Sequence, residues 1–273
     1  MIALTIDCEQ WNCPLLEGHD VPENGETRQS REGNIRLLRL LRSTKVPATF
    51  FVTGDYALGE PAQVRKIAGA GHEIACHGHS HYYRGNAELD LAADIKLAKQ
   101  TLERVVGTKI LGFRSPQMQY STQLLEILDK FGFAYDSSLH PAYLPGFYNH
   151  ACSPLAPFRP LPHHLIVEIP VAVSRHRLPI SWLFTRVLGV RRTIGACRWL
   201  LAQGVTPVLY FHSWEFIPMR SRHVPFYYNI QTGPPLLADV ERLINTFGPD
   251  QFCRVRDLLR DPVTVAKEKE EDS

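Results

Sequence analysis

No two cysteines in this chain are spaced as C-x-x-C. The six stand apart at positions 8, 13, 76, 152, 197 and 253, which argues against a zinc knuckle and against a disulfide scaffold. Free thiols in a reducing compartment are the expectation. Charge is also nearly absent as a net quantity: 30 basic and 28 acidic residues leave +2, so no basic field calls for nucleic acid. No stretch reaches the roughly 18 uncharged apolar residues that a spanning helix needs. The nearest approach, 180–201, is broken by Arg186, Arg191, Arg192 and Arg198. No G-x-G-x-x-G follows the first apolar run, which removes the usual sign of a dinucleotide site. The opening "MIALTID" has neither a basic leader nor a cleavage site, and reads as a first strand rather than a signal peptide. A cytoplasmic location is therefore expected.

What is present is an alternation of short β-rich runs and helical patterns. Strands are expected at 2–6, 48–52, 72–76, 110–113, 134–136, 165–171 and 206–211. Between them, "GNIRLLRLLRS" repeats Ile35, Leu38 and Leu41 at helical spacing with Leu37 beside them. Helices are also expected from Pro61 to the glycines near 70, and over 193–203 and 234–247. Residues 89–106 place Leu91, Ile95, Ala98, Leu102 and Val105 on one face before Gly107. Ser121 is placed as the N-cap of another helix that ends at Gly132. About seven β–α steps imply a single α/β domain over 1–260 built on a parallel sheet, either a barrel or an open doubly wound sheet. An irregular proline- and histidine-rich insertion covers 141–165, and a charged tail over 261–273 is expected to be disordered.

The polar residues cluster where strands end, which is where barrel enzymes keep their chemistry. Asp7 and Glu9 lie two apart after the first strand, as a general base and a hard oxygen ligand or simply as turn caps. "EIACHGHSHYY" offers His77, His79 and His81. On a strand all three would share a face, whereas on a turn or helix only His77 and His81 would. Flanking Gly71 and Gly78 favour the second geometry, with His79 in a supporting role. Two imidazoles and a carboxylate make a three-ligand site with open positions, suited to Zn²⁺, Co²⁺, Ni²⁺, Mn²⁺ or Fe²⁺. Such an ion polarises a carbonyl and brings the pKa of a bound water to about 7. Arg114 in "GFRSPQ" is placed to hold Asp7 ionised and oriented, or else to pair with any surface carboxylate. His212, leaving the strand "LYFH", is either a core histidine or a general acid opposite the metal.

Asp-x-Glu after the first strand, H-x-x-x-H after the third, R-x-P after the fourth and Leu-x-x-His near the last resemble the polysaccharide deacetylase (NodB-homology, carbohydrate esterase 4-like) family, in its usual order. The segment "REGNIRLLRLLRSTKVPATFFVTG" resembles the family's first helix and second strand. The resemblance covers about residues 1–215. It implies a distorted (β/α)₇ barrel and a metal-dependent amidohydrolase with one divalent metal, zinc first among the candidates. It makes His77 and His81 ligands, Asp7 the base, Arg114 its partner and His212 the acid. Many members have two adjacent aspartates where this chain has Asp7 and Cys8, so Glu9 is the expected third ligand and Cys8 the alternative. Gln117 stands where an aromatic residue usually supplies an oxyanion-binding N–H, and Asp136 falls at a recurrent acidic position. The implied substrate is an N-acetylated or N-formylated sugar, with a lipid- or nucleotide-linked precursor favoured by the cytoplasmic expectation. The rivals are a ureide or cyclic imide hydrolase and an inactive sugar-binding barrel. Trp182, Leu183, Phe184, Val187 and Leu188, interleaved with Arg186, Arg191 and Arg192, suggest a weak contact with an anionic membrane surface.

Overall fold

In a computed structural model describing residues 1–84, 86–146, 148–180, 182–260 and 264–265, the alternation folds into one curled sheet clothed in helices. The expected tail, apart from 264–265, lies outside the described residues.

Strands β1 (Ile2–Cys8), β2 (Thr49–Val52), β3 (Glu73–Cys76), β4 (Gly112–Phe113) and β5 (Tyr135–Asp136) lie side by side, all parallel. The hairpin β6 (Tyr143–Leu144) and β7 (Tyr148–Asn149) sits apart within the insertion. Strands β8 (Phe158–Arg159), β9 (Val167–Glu168), β10 (Val208–His212), β11 (Phe252–Cys253) and β12 (Thr264–Val265) complete the set. The order is β10-β1-β2-β3-β4-β5-β9-β8-β12, with β11 on β1 and an antiparallel step between β8 and β9. The segment after β9 returns toward β10, where Ala172 N–H donates to the Val208 carbonyl at 2.9 Å. The result is the expected distorted barrel, closed in part by single bonds rather than by a full ladder. β9 is shorter than expected because Pro170 has no N–H to continue the pairing, and Leu165, ahead of it, is 75% exposed.

The helices are α1 (Cys13–Leu16), α2 (Arg28–Thr44), α3 (Gly54–Gly59), α4 (Pro61–Gly69), α5 (Leu91–Val106), α6 (Thr122–Lys130), α7 (Trp182–Leu188), α8 (Val190–Ala202) and α9 (Pro234–Phe247). Ser121 caps α6 by accepting from Leu124 N–H, and Gly107 ends α5 in the left-handed region at φ 74°. On α2 the buried stripe is Ser30, Gly33, Asn34, Leu37 and Leu41, while Ile35 is 39% exposed. The expected Ile35–Leu38–Leu41 face is therefore rotated, because Gly33 must lie against the chain after β10. A Cβ there would come 1.8 Å from the Ser213 carbonyl oxygen.

Strand alternation then sorts β1 into two faces. Ile2, Leu4, Ile6 and Cys8 join the apolar layer under the helices. Ala3 joins an inner cluster with Phe51, Ala75, Tyr135, Val167 and Val208 that plugs the barrel. Above that plug the inner face turns polar, through Thr5 and Asp7 to Glu9.

Candidate active site

The inner face collects its polar groups at the carboxyl ends of the parallel strands. Asp7 is in register with His212 of β10, so base and acid candidates start as cross-strand neighbours. Arg114, one residue past β4, is fully buried with its guanidinium 4.0 Å from the Phe51 ring centroid. Its Nη1 donates to Asp7 Oδ1 at 2.7 Å and to Thr5 Oγ1 at 2.8 Å, while its other nitrogens reach the Ser137 carbonyl and hydroxyl. The Asp7 carboxylate is thus fixed in angle as well as place.

His77 and His81 lie on a tight turn, not on an extension of β3. Asp94 in the first turn of α5 accepts from the N–H groups of His79 (2.7 Å) and Ser80 (3.1 Å) and from the Tyr83 hydroxyl. Gly78 takes φ 71°, and a Cβ on it would strike Tyr83. The turn sends His79 outward, where Nε2 meets Asp55 at 3.3 Å. His77 Nδ1 donates to the Arg114 carbonyl at 2.8 Å, and His81 Nδ1 to Asn12 Oδ1 at 3.0 Å. Each ring is thereby set with its Nε2 lone pair facing inward.

Both Nε2 atoms face Glu9, whose Oε2 lies 2.7 Å from His81 and 3.5 Å from His77. The three ligand atoms fall within 4.8 Å of one another, and all three residues are buried. Trp214 Nε1 donates to Glu9 Oε1 at 3.1 Å, whereas Oε2 is buried without a hydrogen-bond donor. An orphaned carboxylate oxygen facing two aligned imidazole lone pairs fits a divalent cation.

Cys8, the alternative ligand, points the other way. Its Sγ accepts from Asn34 Nδ2 at 3.1 Å under α2, and burial pushes its thiol up to about 12. That corrects the open choice at this position: with a period of two, residues 7 and 9 share the inner face and residue 8 cannot.

His212 is held by a group that sequence reasoning missed. Glu215 Oε1 accepts from both the His212 backbone N–H (2.7 Å) and Nδ1 (2.8 Å). Trp214 stacks on the imidazole at 5.1 Å between centroids, and Trp182 meets its edge at 5.3 Å. Burial would lower the histidine, yet the Glu215 hydrogen bond, with Glu9 and Asp7, raises it. The H-x-x-E spacing in "HSWEF" was the available signal, since a glutamate three residues on can reach back to the residue opening a turn.

Gln117 takes φ 56° and Met118 φ 52°, two consecutive left-handed residues that are not glycine. Such backbone costs on the order of 1–3 kcal/mol per residue and tends to mark functional loops. The Gln117 side-chain oxygen accepts from the N–H groups of Tyr83 (3.1 Å) and Arg84 (2.7 Å), tying the R-x-P loop to the histidine turn.

Asp136 lies outside this constellation. It is on the opposite face of β5 from Ser137, in register with Glu168. Burial pushes Glu168 well up and Asp136 to about 6. Arg186 and Trp182 also depart from expectation: Arg186 is 3% exposed, and Trp182 packs against the site rather than outward. That removes the centre of the expected membrane-facing set and leaves Val187 and Leu188 exposed.

Residues 22–135 match the family model described as polysaccharide deacetylase. Over that stretch the chain is similar to the polysaccharide deacetylase family. A peptidoglycan deacetylase of Helicobacter pylori is 32% identical over 105 residues, 38% of this chain and 36% of that protein. The first curated relatives are covered over only 36% and 46% of their own length. Among solved structures, a Mycobacterium smegmatis protein of the polysaccharide deacetylase type superposes with TM-score 0.70 at 22% identity, covering 98% of this chain and 94% of that one. An allantoinase superposes with TM-score 0.67 at 19% identity, covering 95% of this chain and 88% of its own. At these identities the two superpositions speak for the fold alone.

Proposed function

We propose that this chain is a member of the polysaccharide deacetylase family and a metal-dependent hydrolase that removes the acyl group from an N-acylated sugar. The observation that carries the reading is the coexistence, within one strand pair, of an oriented carboxylate at Asp7 and a tethered imidazole at His212, beside three converging ligand atoms. A divalent cation held by Glu9, His77 and His81 supplies Lewis-acid polarisation of the amide and water activation near neutral pH. Asp7, clamped by Arg114, accepts the proton of the attacking water. The Gln117 N–H, presented by its left-handed backbone, donates to the oxygen that gains charge. His212, protonated on Nε2 while Nδ1 is bound to Glu215, gives its proton to the departing amine.

An N-acetylated or N-formylated sugar is favoured over a ureide by the sequence likeness to a peptidoglycan deacetylase. The likeness to an allantoinase is one of fold. An inactive binding barrel has no use for both an acid and a base, each with a dedicated partner. A cytoplasmic site of action, on a lipid- or nucleotide-linked precursor, completes the proposal.

Asp7→Asn and His212→Ala should each lower kcat by about 10²–10⁴-fold with metal content unchanged. The assay is amine release from a panel of acetylated, formylated and ureide compounds. Full turnover in both variants would sink the proposal.

A further inference from the structure

Glu215 has two oxygens and two tasks. Oε1 is fully used by the His212 backbone N–H and ring Nδ1. The angle of that carboxylate, and so the angle of the imidazole, depends on what meets Oε2. There the Arg186 Nε stands 2.9 Å away as an ion pair, off the hydrogen-bond angle, with both side chains completely buried. Arg186 is anchored in turn: Nη1 donates to the carbonyls of Tyr228 (3.1 Å) and Ile230. Its guanidinium also lies 4.6 Å from the centroid of Trp182, the indole that borders His212. One side chain therefore reaches both the carboxylate that tethers the ring and the aromatic wall that confines it. A buried ion pair is a poor device for stability alone, since apolar side chains of similar volume do as well or better. A planar fork that fixes direction is what arginine offers beyond lysine.

We propose that Arg186 is a positioning residue for proton donation. By holding Glu215 Oε2 and the Trp182 face, it fixes the His212 ring in the orientation that delivers the Nε2 proton to the departing amine. The proposal rests on the acid role given to His212 above, so its test needs a readout that survives failure of that role.

Arg186→Gln, Arg186→Lys and the charge-neutral pair Arg186→Met with Glu215→Gln are compared on two amides sharing one acyl group. One releases a sugar amine, which needs a proton. The other releases a nitroaniline, which departs with far less help. Arg186→Gln should lower kcat on the sugar amide by about 10–100-fold, part of what a general acid contributes. KM and metal content should stay within about twofold, and the nitroanilide should lose at least tenfold less. Arg186→Lys should recover part of the loss, and the neutral pair should show the same selectivity if the single variant fails to fold. Independently of turnover, ¹⁵N spectra of labelled histidine should show the His212 Nδ1 hydrogen bond weakened in Arg186→Gln. Equal losses on both amides, or an unchanged His212 signal in folded protein, overturn the proposal. If the wild type cleaves neither amide, the acid role has failed, and the ¹⁵N spectrum alone decides whether Arg186 sets the ring.

Discussion

Each imidazole of the candidate metal site is set by a backbone or amide oxygen on its far nitrogen, so removing that oxygen should weaken the site without touching a ligand. Asn12 serves His81 in this way. Asn12→Ala should cost about 10–100-fold in metal affinity, as such outer contacts commonly do. Direct removal of His77 or His81 should empty the site and abolish turnover together, whereas His79→Ala and Cys8→Ser should retain the metal. Metal titration monitored by bound-ion analysis checks all five variants. The same residue scale governs pH. With His212 as the proposed acid, which must be protonated to donate, activity should fall as pH rises through its pKa. Because Glu215, Glu9 and Asp7 raise that pKa despite burial, the alkaline limb should lie above the ordinary imidazole value of about 6.5. Glu215→Gln should move the limb downward, and a pH–rate profile of both proteins measures it. Asp7, Glu9, His77, His81, Arg114 and His212 were all readable as candidates because each follows a recognisable strand. Glu215, Trp214 and Arg186 were not, since their roles come from packing around His212 rather than from spacing along the chain.

At the scale of elements, α2 and the turn after β10 form one unit. Gly33 lies where any Cβ would meet the Ser213 carbonyl, and Ser213 adjoins both His212 and Trp214. Gly33→Ala should destabilise by about 1–3 kcal/mol, the range of overpacked cores. It should also lower kcat, since the turn that carries Glu215 must shift. Chemical denaturation and steady-state kinetics on the same preparation test the coupling. The cross-strand pair of β5 and β9 makes a second prediction. Raised folded-state pKa values of Glu168 and Asp136 contribute stability that is full at low pH and is lost as pH climbs through about 6 and beyond. Glu168→Gln keeps a donor toward Asp136 but removes one of the two titrations. Its melting temperature should fall less between pH 5 and pH 8 than that of the wild type. Equal slopes would mean that burial does not raise Glu168 in the folded protein.

For the whole molecule, the metal site joins parts of the chain that are far apart. Glu9 follows β1, His77 and His81 follow β3, and Trp214, which holds Glu9, follows β10. A cation bound there stabilises only the folded barrel. Chelation should therefore lower the melting temperature, by roughly 5–10 °C if metal stands at about 100 times its Kd, where the linkage is about 2.7 kcal/mol. An unchanged melting curve after chelation would count against a resident ion. Among the described residues no helix is long and apolar enough to cross a membrane. Burial of Arg186 and the inward packing of Trp182 reduce the apolar-basic stripe of α7 to its outer residues. Sedimentation with anionic vesicles at low and high salt should then show little binding.

Strand alternation and the order of the motifs were local properties, and they already put Asp7, Glu9, His77 and His81 forward as candidates, set the two histidines on a turn and, through the family resemblance, implied the barrel, while the choice between Glu9 and Cys8 was left to the fold. They did so because the period of a strand and the punctuation of glycine and proline act over a few residues. Other features depended on long-range contact. The face of α2 was chosen by Gly33 against Ser213, not by the strongest run of leucines. Asp136 left the site because its neighbour across the sheet is Glu168. Arg186 changed from a surface cation to the partner of Glu215 because closing the barrel buried both charges, and burial made each the other's nearest compensation.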